Sequence, residues 1–235
     1  MPDEKIFVIS LGGSIIIPEP GKIDFRFLKK FRQLVLKFIK KRWKFIIVVG
    51  GGKTCRLYQK AALKITKIPP EELDWLGIYA TKLNAYLLKI IFEKEALPII
   101  LDNPYKKTKK ELLKKPVIIA SGWKPGWSTD YVTVLLAKRF GVKTIINASN
   151  ISFLYEKDIK IYKEAKKISE ISWPGYQKII GKRWHPGTSF PFDPIAAKKA
   201  KKLNLKVIIV KGTNLENLEK VLASQKFKGT IIKNN

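Results

Sequence analysis

The chain has little of the side chains that carry metal and disulfide chemistry. Its 235 residues include one cysteine, Cys55, and one histidine, His185. A single cysteine excludes an intramolecular disulfide framework and fits a reducing compartment. One histidine and one cysteine do not make a tetrahedral zinc set, so a zinc site is not expected and no metal-ligating set is read from the sequence. No uninterrupted apolar run approaches the roughly 20 residues that a membrane-spanning helix needs. Residues 6–17 are apolar, but Gly12-Gly13-Ser14 interrupts them and Asp3 and Glu4 precede them, unlike a secretory leader. The expectation is a soluble cytoplasmic protein with no membrane partner.

Arginine is also scarce. The formal net charge is +28, yet of the 47 basic residues 6 are Arg and 41 are Lys. Base reading in nucleic acids draws on bidentate arginine, so this ratio reads as a solvated lysine coat. A nucleic-acid partner is not expected, although such a surface attracts anionic ligands.

What is present is enough apolar material for a full core. Hydrophobic residues make up 46% of the chain and there are six tryptophans, which excludes disorder. The length suits one α/β domain spanning 1–235. Strand-like runs occur at 5–11, 45–49, 97–101, 116–120, 143–147, 206–210 and 229–232. Several are nearly all Val, Ile and Phe, as in strands buried on both faces. Between them, Phe27, Phe31, Leu34, Val35, Phe38 and Ile39 recur at helical spacing, with Asp24 as N-cap. Segments 53–65, 73–92 and 128–140 also read as helices, the last capped by Ser128 or Thr129. Asp193-Pro194 reads as a cap and first-turn proline opening a helix to about Leu203. Residues 106–115 read as a basic connector or short helix. The alternation predicts a three-layer α/β/α sandwich around a mainly parallel sheet. The least regular stretch, about 150–192, contains Trp173-Pro174-Gly175 and Trp184-His185-Pro186-Gly187 and reads as a loop-rich lobe.

Three glycine loops each follow a strand-like run: Gly12-Gly13-Ser14, Gly50-Gly51-Gly52-Lys53, and residues 121–130. Strand, glycine turn and helix start together make a phosphate cradle. Three such junctions imply a protein that handles two phosphorylated ligands. Two standard motifs fail. A P-loop needs glycine at position 47, which is Ile47, and a dinucleotide fingerprint needs glycine at Cys55.

Four blocks carry a family resemblance. Gly50-Gly51-Gly52-Lys53-Thr54-Cys55-Arg56 is similar to GGGK-x-x-R. Asp74, Gly77, Ile78, Thr81, Asn84 and Ala85 follow D-x-x-G-I-x-x-T-x-x-N-A. Gly122, Pro125, Gly126, Ser128, Thr129 and Asp130 follow G-T-H-P-G-H-T-T-D. Residues 192–197, Phe-Asp-Pro-Ile-Ala-Ala, follow F-D-P-x-A-A. In this order, and nearly end to end, the chain resembles the uridylate (UMP) kinases of archaeal type, within the amino-acid-kinase fold.

That resemblance implies transfer of the ATP γ-phosphoryl to UMP with Mg²⁺, in a homohexamer. Such chemistry rests on positioning and charge stabilisation. It implies catalytic roles for Asp130, Arg56 and Lys53. Gly12, Gly13 and Ser14 would offer N–H groups to the transferring phosphoryl. Gly52 and Arg56 would meet the phosphates, and Ser149, Asn150, Tyr155 and Asp158 would bind ATP. Gly51, Asp74, Trp123, Lys124, Pro125, Gly126, Trp127, Ser128 and Thr129 would form the UMP side. Each has a plain alternative: a surface charge for Arg56, a helix cap for Asp74, a first-turn acid for Asp130. His185 and Cys55 read as structural.

The chain departs from the pattern at two loops. Trp123, Lys124 and Trp127 stand where the family has Thr, His and His. Ser152 and Phe153 replace an Asp-Gly pair, so that loop is expected to follow a different path, because Phe153 tolerates positive φ poorly. The broader fold family often has lysine two residues before the first glycine pair, where this chain has Ser10. Three alternatives therefore stay open: another phosphate acceptor on the same fold, a non-catalytic nucleotide binder, and a basic RNA-binding protein.

Overall fold

A computed structural model of the chain describes residues 5–109, 114–157, 162–181 and 190–234. The strands are β1 (Ile6–Leu11), β2 (Lys44–Val49), β3 (Val117–Ala120), β4 (Thr144–Ser149), β5 (Leu154–Tyr155), β6 (Lys167–Ile168), β7 (Glu170–Ser172), β8 (Lys206–Lys211) and β9 (Thr230–Lys233). The helices are α1 (Gly13–Ile16), α2 (Phe25–Ile39), α3 (Gly52–Ile65), α4 (Pro70–Ile91), α5 (Thr129–Arg139), α6 (Trp173–Ile180), α7 (Pro194–Lys202) and α8 (Leu215–Leu222).

Among the described residues, seven strands form one sheet in the order β3-β2-β1-β4-β8-β9-β7. The first five pair in parallel and β9 runs antiparallel to β8. The strands read as continuous apolar runs because both faces are covered. Alternate side chains serve opposite layers. Ile9, Ile47, Ile119, Ile146 and Val210 pack with Phe31, Phe38, Leu88, Phe92 and Leu218 from α2, α4, the turn after α4 and α8. Val8, Ile46, Ile118, Ile145 and Ile209 pack with Val132, Leu136, Trp173, Tyr176 and Ala200 from α5, α6 and α7. The expected three-layer sandwich is thus present.

The caps follow the sequence. Asp24 accepts from Phe27 N, Ser128 from Tyr131 N and Asp193 from Ala196 N. The run at 97–101 differs from expectation. It makes only isolated bridges beside β3, at Ala96 and Leu101, because Pro98 interrupts it and has no N–H for a ladder. The described part of the 150–192 stretch also holds more regular structure than expected. It holds the β5–β6 hairpin, β7, and α6, whose N-cap Ser172 accepts from Gly175 N. Trp173 and Pro174 begin that helix rather than a loop.

The sheet order places the site. From β1 the chain moves outward to β2 and β3, then returns to lay β4 and β8 on the other side. The carboxyl ends of β1 and β4 therefore flank a topological switch point, where open α/β sheets bind ligands.

Candidate active site

The first two glycine loops touch each other through their backbones. A Cβ built on Gly13 would lie 2.3 Å from both Gly50 O and Gly52 N, and one on Gly52 would lie 2.5 Å from Gly13 O. Gly52 also has φ +65°. Glycine is required here for close approach as much as for ligand access. Asn84 Nδ2 donates to Gly50 O at 2.8 Å and to Gly51 O at 3.2 Å, fixing the loop from α4. Thr81 Oγ1 accepts from Gly122 N at 2.8 Å and fixes the third loop the same way. The block from Asp74 to Ala85 is thus one face of α4, at spacings of three and four residues. Residues that resembled a motif in sequence act as a brace for two loops.

Between α3, α4 and the 122–129 loop lies a cleft of about 550 Å³. Of the residues expected on the acceptor side and at the phosphates, Gly51, Gly52, Arg56, Asp74, Lys124, Trp127, Ser128 and Thr129 line it. The N-termini of α3 and α5 both open onto it, and helix starts favour anions. Arg56, Lys60 and Lys124 add positive charge against one acid, Asp74. Asp74 Oδ2 accepts from Gly126 N at 2.7 Å, closing α4 onto the loop where Gly126 turns with φ +78°. The sequence reading missed Gln59, Lys60 and Thr81 in this lining; helical spacing from Arg56 points to the first two.

Trp123 and Pro125 do not line the cleft. Trp123 instead packs between Tyr105 and Trp127, with ring centroids 5.4 and 6.1 Å away. Lys53 lies in the first turn of α3, outside the lining. Cys55 is half-buried in the cleft wall. Burial raises its thiol pKa, which suits packing rather than nucleophilic chemistry.

Asp130 sits behind the lining, in the first turn of α5. Its Oδ1 accepts from Ser10 Oγ and its Oδ2 from Asp193 N, both at 3.0 Å. Burial pushes the carboxyl up to about 6, and the neighbouring Asp193 carboxylate adds to this; the two hydrogen bonds oppose it. Asp193 is itself raised by burial. Upstream, Tyr176 Oη accepts from Phe192 N at 2.9 Å, so a buried tyrosine fixes the segment that reaches Asp130. Neither Ser10 nor Asp193 was singled out as a site residue from sequence. Their link to Asp130 spans 120 and 63 positions and leaves no local signal.

The expected ATP side gathers at the carboxyl ends of β1 and β4. Gly12 N donates to Ala148 O at 2.9 Å. This corrects one expectation: the Gly12 N–H joins the sheet and does not face a phosphoryl group. Gly13 and Ser14 open α1, whose first N–H groups have no intrahelical acceptor. Ser149 Oγ accepts from Ile151 N, and Ser149 O accepts from Gly212 N at 2.7 Å. Asn150 is exposed, and Tyr155 lies in β5, paired with Lys167. Phe153 avoids positive φ, as its side chain requires. Asp158 and His185 lie outside the described residues.

A doubly wound sheet with an anion-attracting cleft beside its switch point and an elevated carboxyl behind it defines a phosphate-transfer α/β protein. The chain belongs to the amino acid kinase family, whose profile matches residues 5–211. It is 29% identical over 229 residues to a uridylate kinase of Methanocorpusculum labreanum, covering 97% of this chain and 95% of the relative. It is 33% identical over 219 residues to one from Thermoplasma volcanium, covering 92% of each. Among solved structures, the uridylate kinase of Archaeoglobus fulgidus superposes with TM-score 0.80 at 29% identity, covering 97% of this chain and 99% of that one. A UMP kinase from Bacillus anthracis shares the fold, with TM-score 0.79 at 18% identity, covering 100% of this chain and 98% of that one.

Proposed function

We propose that the protein is a UMP kinase, transferring the γ-phosphoryl of ATP to UMP to give UDP and ADP. The observation that carries this is the convergence of two helix N-termini, Arg56, Lys60 and Lys124 on one cleft, in a chain similar end to end to uridylate kinases. Arg56 forks onto the acceptor phosphate. The start of α5, at Ser128 and Thr129, holds the same group from the other side. Gly13 and Ser14 approach the transferring phosphoryl, and the ends of β4 and β8 receive ATP. The groups align donor and acceptor in line and supply positive charge where negative charge spreads in the transition state.

Mg²⁺ is the expected cation. Asp130 and Asp193 are adjacent, and neither is ion-paired among the described residues. This fits a magnesium ion carried on the ATP phosphates, which needs only one or two protein carboxylates. Asp130 would hold it, and the ion would neutralise charge on the phosphate oxygens.

Self-association, with a homohexamer as the expected form, is supported by the outer faces of α3 and α4. Tyr79, Leu83, Tyr86 and Ile90 follow one another along α4 and are 52–64% exposed. Leu57, Tyr58 and Ile65 on α3 are exposed as well. A helix apolar on both faces normally has a partner on each. No described helix is long and apolar enough to cross a membrane, and a cytoplasmic enzyme is the proposal.

An ADP-release assay with Mg·ATP against UMP, AMP and GMP tests the function. UMP-dependent release is the expected result. Release with AMP or GMP alone would move the chain to another acceptor, and UMP binding without release would make it a non-catalytic nucleotide binder.

A further inference from the structure

The edge of the sheet away from the acceptor cleft is lined with lysine. In the order β3-β2-β1-β4-β8 the strands run parallel, so their amino ends share one edge and their carboxyl ends the other. Each of the five starts on a lysine or within two residues of one. Across the sheet these are Lys115, Lys44, Lys5, Lys143 and Lys206. Lys44 N donates to Lys5 O at 2.8 Å and Lys206 N to Lys143 O at 2.9 Å, so neighbours in the row sit side by side. Adjacent strands lie about 4.8 Å apart, which makes the row about 19 Å long.

The helices that lead into these strands end at the same edge. After α2, α5 and α7 come the segments 40–44, 138–143 and 198–206, which hold no Asp or Glu. Glu93 and Glu95 stand at the β3 end, and Glu95 faces Arg32 at 3.7 Å. At the β8 end, Lys198, Lys201 and Lys202 line a basin of about 410 Å³ with Pro174 and Asn234. Helix C-termini favour lysine through their dipole. Strand starts have almost no dipole to answer. A row of like charges there repels itself and costs stability. The fold's own needs therefore do not explain it.

We propose that this edge is a docking surface for the phosphate backbone of a nucleic-acid strand, separate from the acceptor cleft. Lysine is a compact point charge that meets phosphates without reading bases, so the shortage of arginine suits sequence-independent binding. At roughly 3.4 Å of rise per nucleotide, several successive phosphates fall within the row. Two features favour a strand over a bilayer or an acidic protein. The sheet twists by roughly 20–25° per strand, so the row curves out of any plane. None of the exposed large apolar side chains falls in 40–44, 138–143 or 198–206. Nothing there can insert among lipids or form the apolar centre of a protein interface. Trp43 is covered, stacked on Phe38 at 4.7 Å with Lys5 and Lys41 Nζ 5.1 and 5.9 Å from its ring centre.

Fluorescence anisotropy of a labelled oligoadenylate RNA of about 20 nucleotides, titrated with the full chain, tests this. The expected Kd is about 10 μM or tighter at about 0.1 M salt, with log K falling against log salt by about 0.7 per phosphate met. Lys143→Gln/Lys201→Gln/Lys202→Gln is expected to weaken binding about tenfold or more and to reduce that slope by about 2. Lys29→Gln/Lys106→Gln/Lys107→Gln removes the same charge from exposed positions off this edge and is expected to change Kd by less than about threefold. Lys143→Arg/Lys201→Arg/Lys202→Arg keeps the charge and is expected to bind as wild type. No binding at that salt would overturn the proposal. So would an equal loss in the two glutamine variants, which marks a lysine coat only, or loss in the arginine variant, which marks structural damage. Phosphatidylserine vesicles bound in preference to the RNA would overturn it in favour of a membrane surface.

Discussion

Ser10 Oγ donates to Asp130 Oδ1 at 3.0 Å, tying the strand at the sheet's switch point to the first turn of α5. Asp193 N holds the other carboxylate oxygen. Asp130 is thereby aimed by two neutral donors, with no described cation bonded to it, and burial sets its proton affinity. Below about pH 6 the carboxyl holds its proton. The ionised form is the one that can attract a cation at the phosphates, so activity rises with pH through that value.

Replacing Ser10 with Ala removes a donor that favours the ionised form. The acidic limb of the kcat/KM profile should then move to higher pH, with the plateau above it largely retained. An unmoved limb in a folded variant would detach the titration from Asp130.

The same carboxyl makes a stability prediction. Its folded pKa is raised, so the folded state binds the proton more tightly than the unfolded chain. Stability from this group is full below the ordinary carboxylate value of 3.8, falls as pH rises from 3.8 to about 6, and stays low above that. Asp130→Asn should therefore be more stable than wild type at pH 8 by about 1–3 kcal/mol. The gap should narrow as pH falls toward 4. Urea unfolding at the two pH values measures this, and a variant less stable at pH 8 contradicts it.

Gly13 and Gly126 separate two uses of glycine. A Cβ on Gly13 meets backbone at 2.3 Å, whereas one on Gly126 meets nothing within 4 Å. Gly13→Ala should cost roughly 3 kcal/mol or more, since the two loops must move apart. Gly126→Ala should cost only about 1–2 kcal/mol, for placing alanine at φ +78°. Thermal melts rank the two, and the reverse order would contradict the loop packing.

On α4, Leu83→Glu places a charge in the middle of the exposed apolar stripe. The variant is expected to run as a smaller species than wild type by light scattering while keeping its helical content. An unchanged particle mass would remove this face from the assembly.

The sandwich was legible because strands buried on both faces carry a period-free apolar signal, and Asp24, Ser128 and Asp193 cap helices where sequence placed them. The acceptor cleft was legible because Gly51, Arg56 and Asp74 fall within 24 residues on elements that pack together. Helix α8 and the β5–β6 hairpin were missed; two-residue strands leave almost no periodicity to read. Ser10 and Asp193 could not be found this way, because their contact with Asp130 exists only after β1, α5 and α7 have packed. Trp123 was placed on the substrate side from motif alignment alone, and its ring turned to Trp127 and Tyr105 instead.

The most direct measurement is a single turnover from γ-labelled ATP with UMP, comparing wild type with Asp130→Asn. The label should appear in UDP with the wild type. It should stay in ATP with the Asn variant, whose fold is checked by its melting curve. Transfer to UDP by a well-folded Asp130→Asn protein at the wild-type rate would contradict the role given to Asp130, and no UDP from the wild type would contradict UMP as the acceptor.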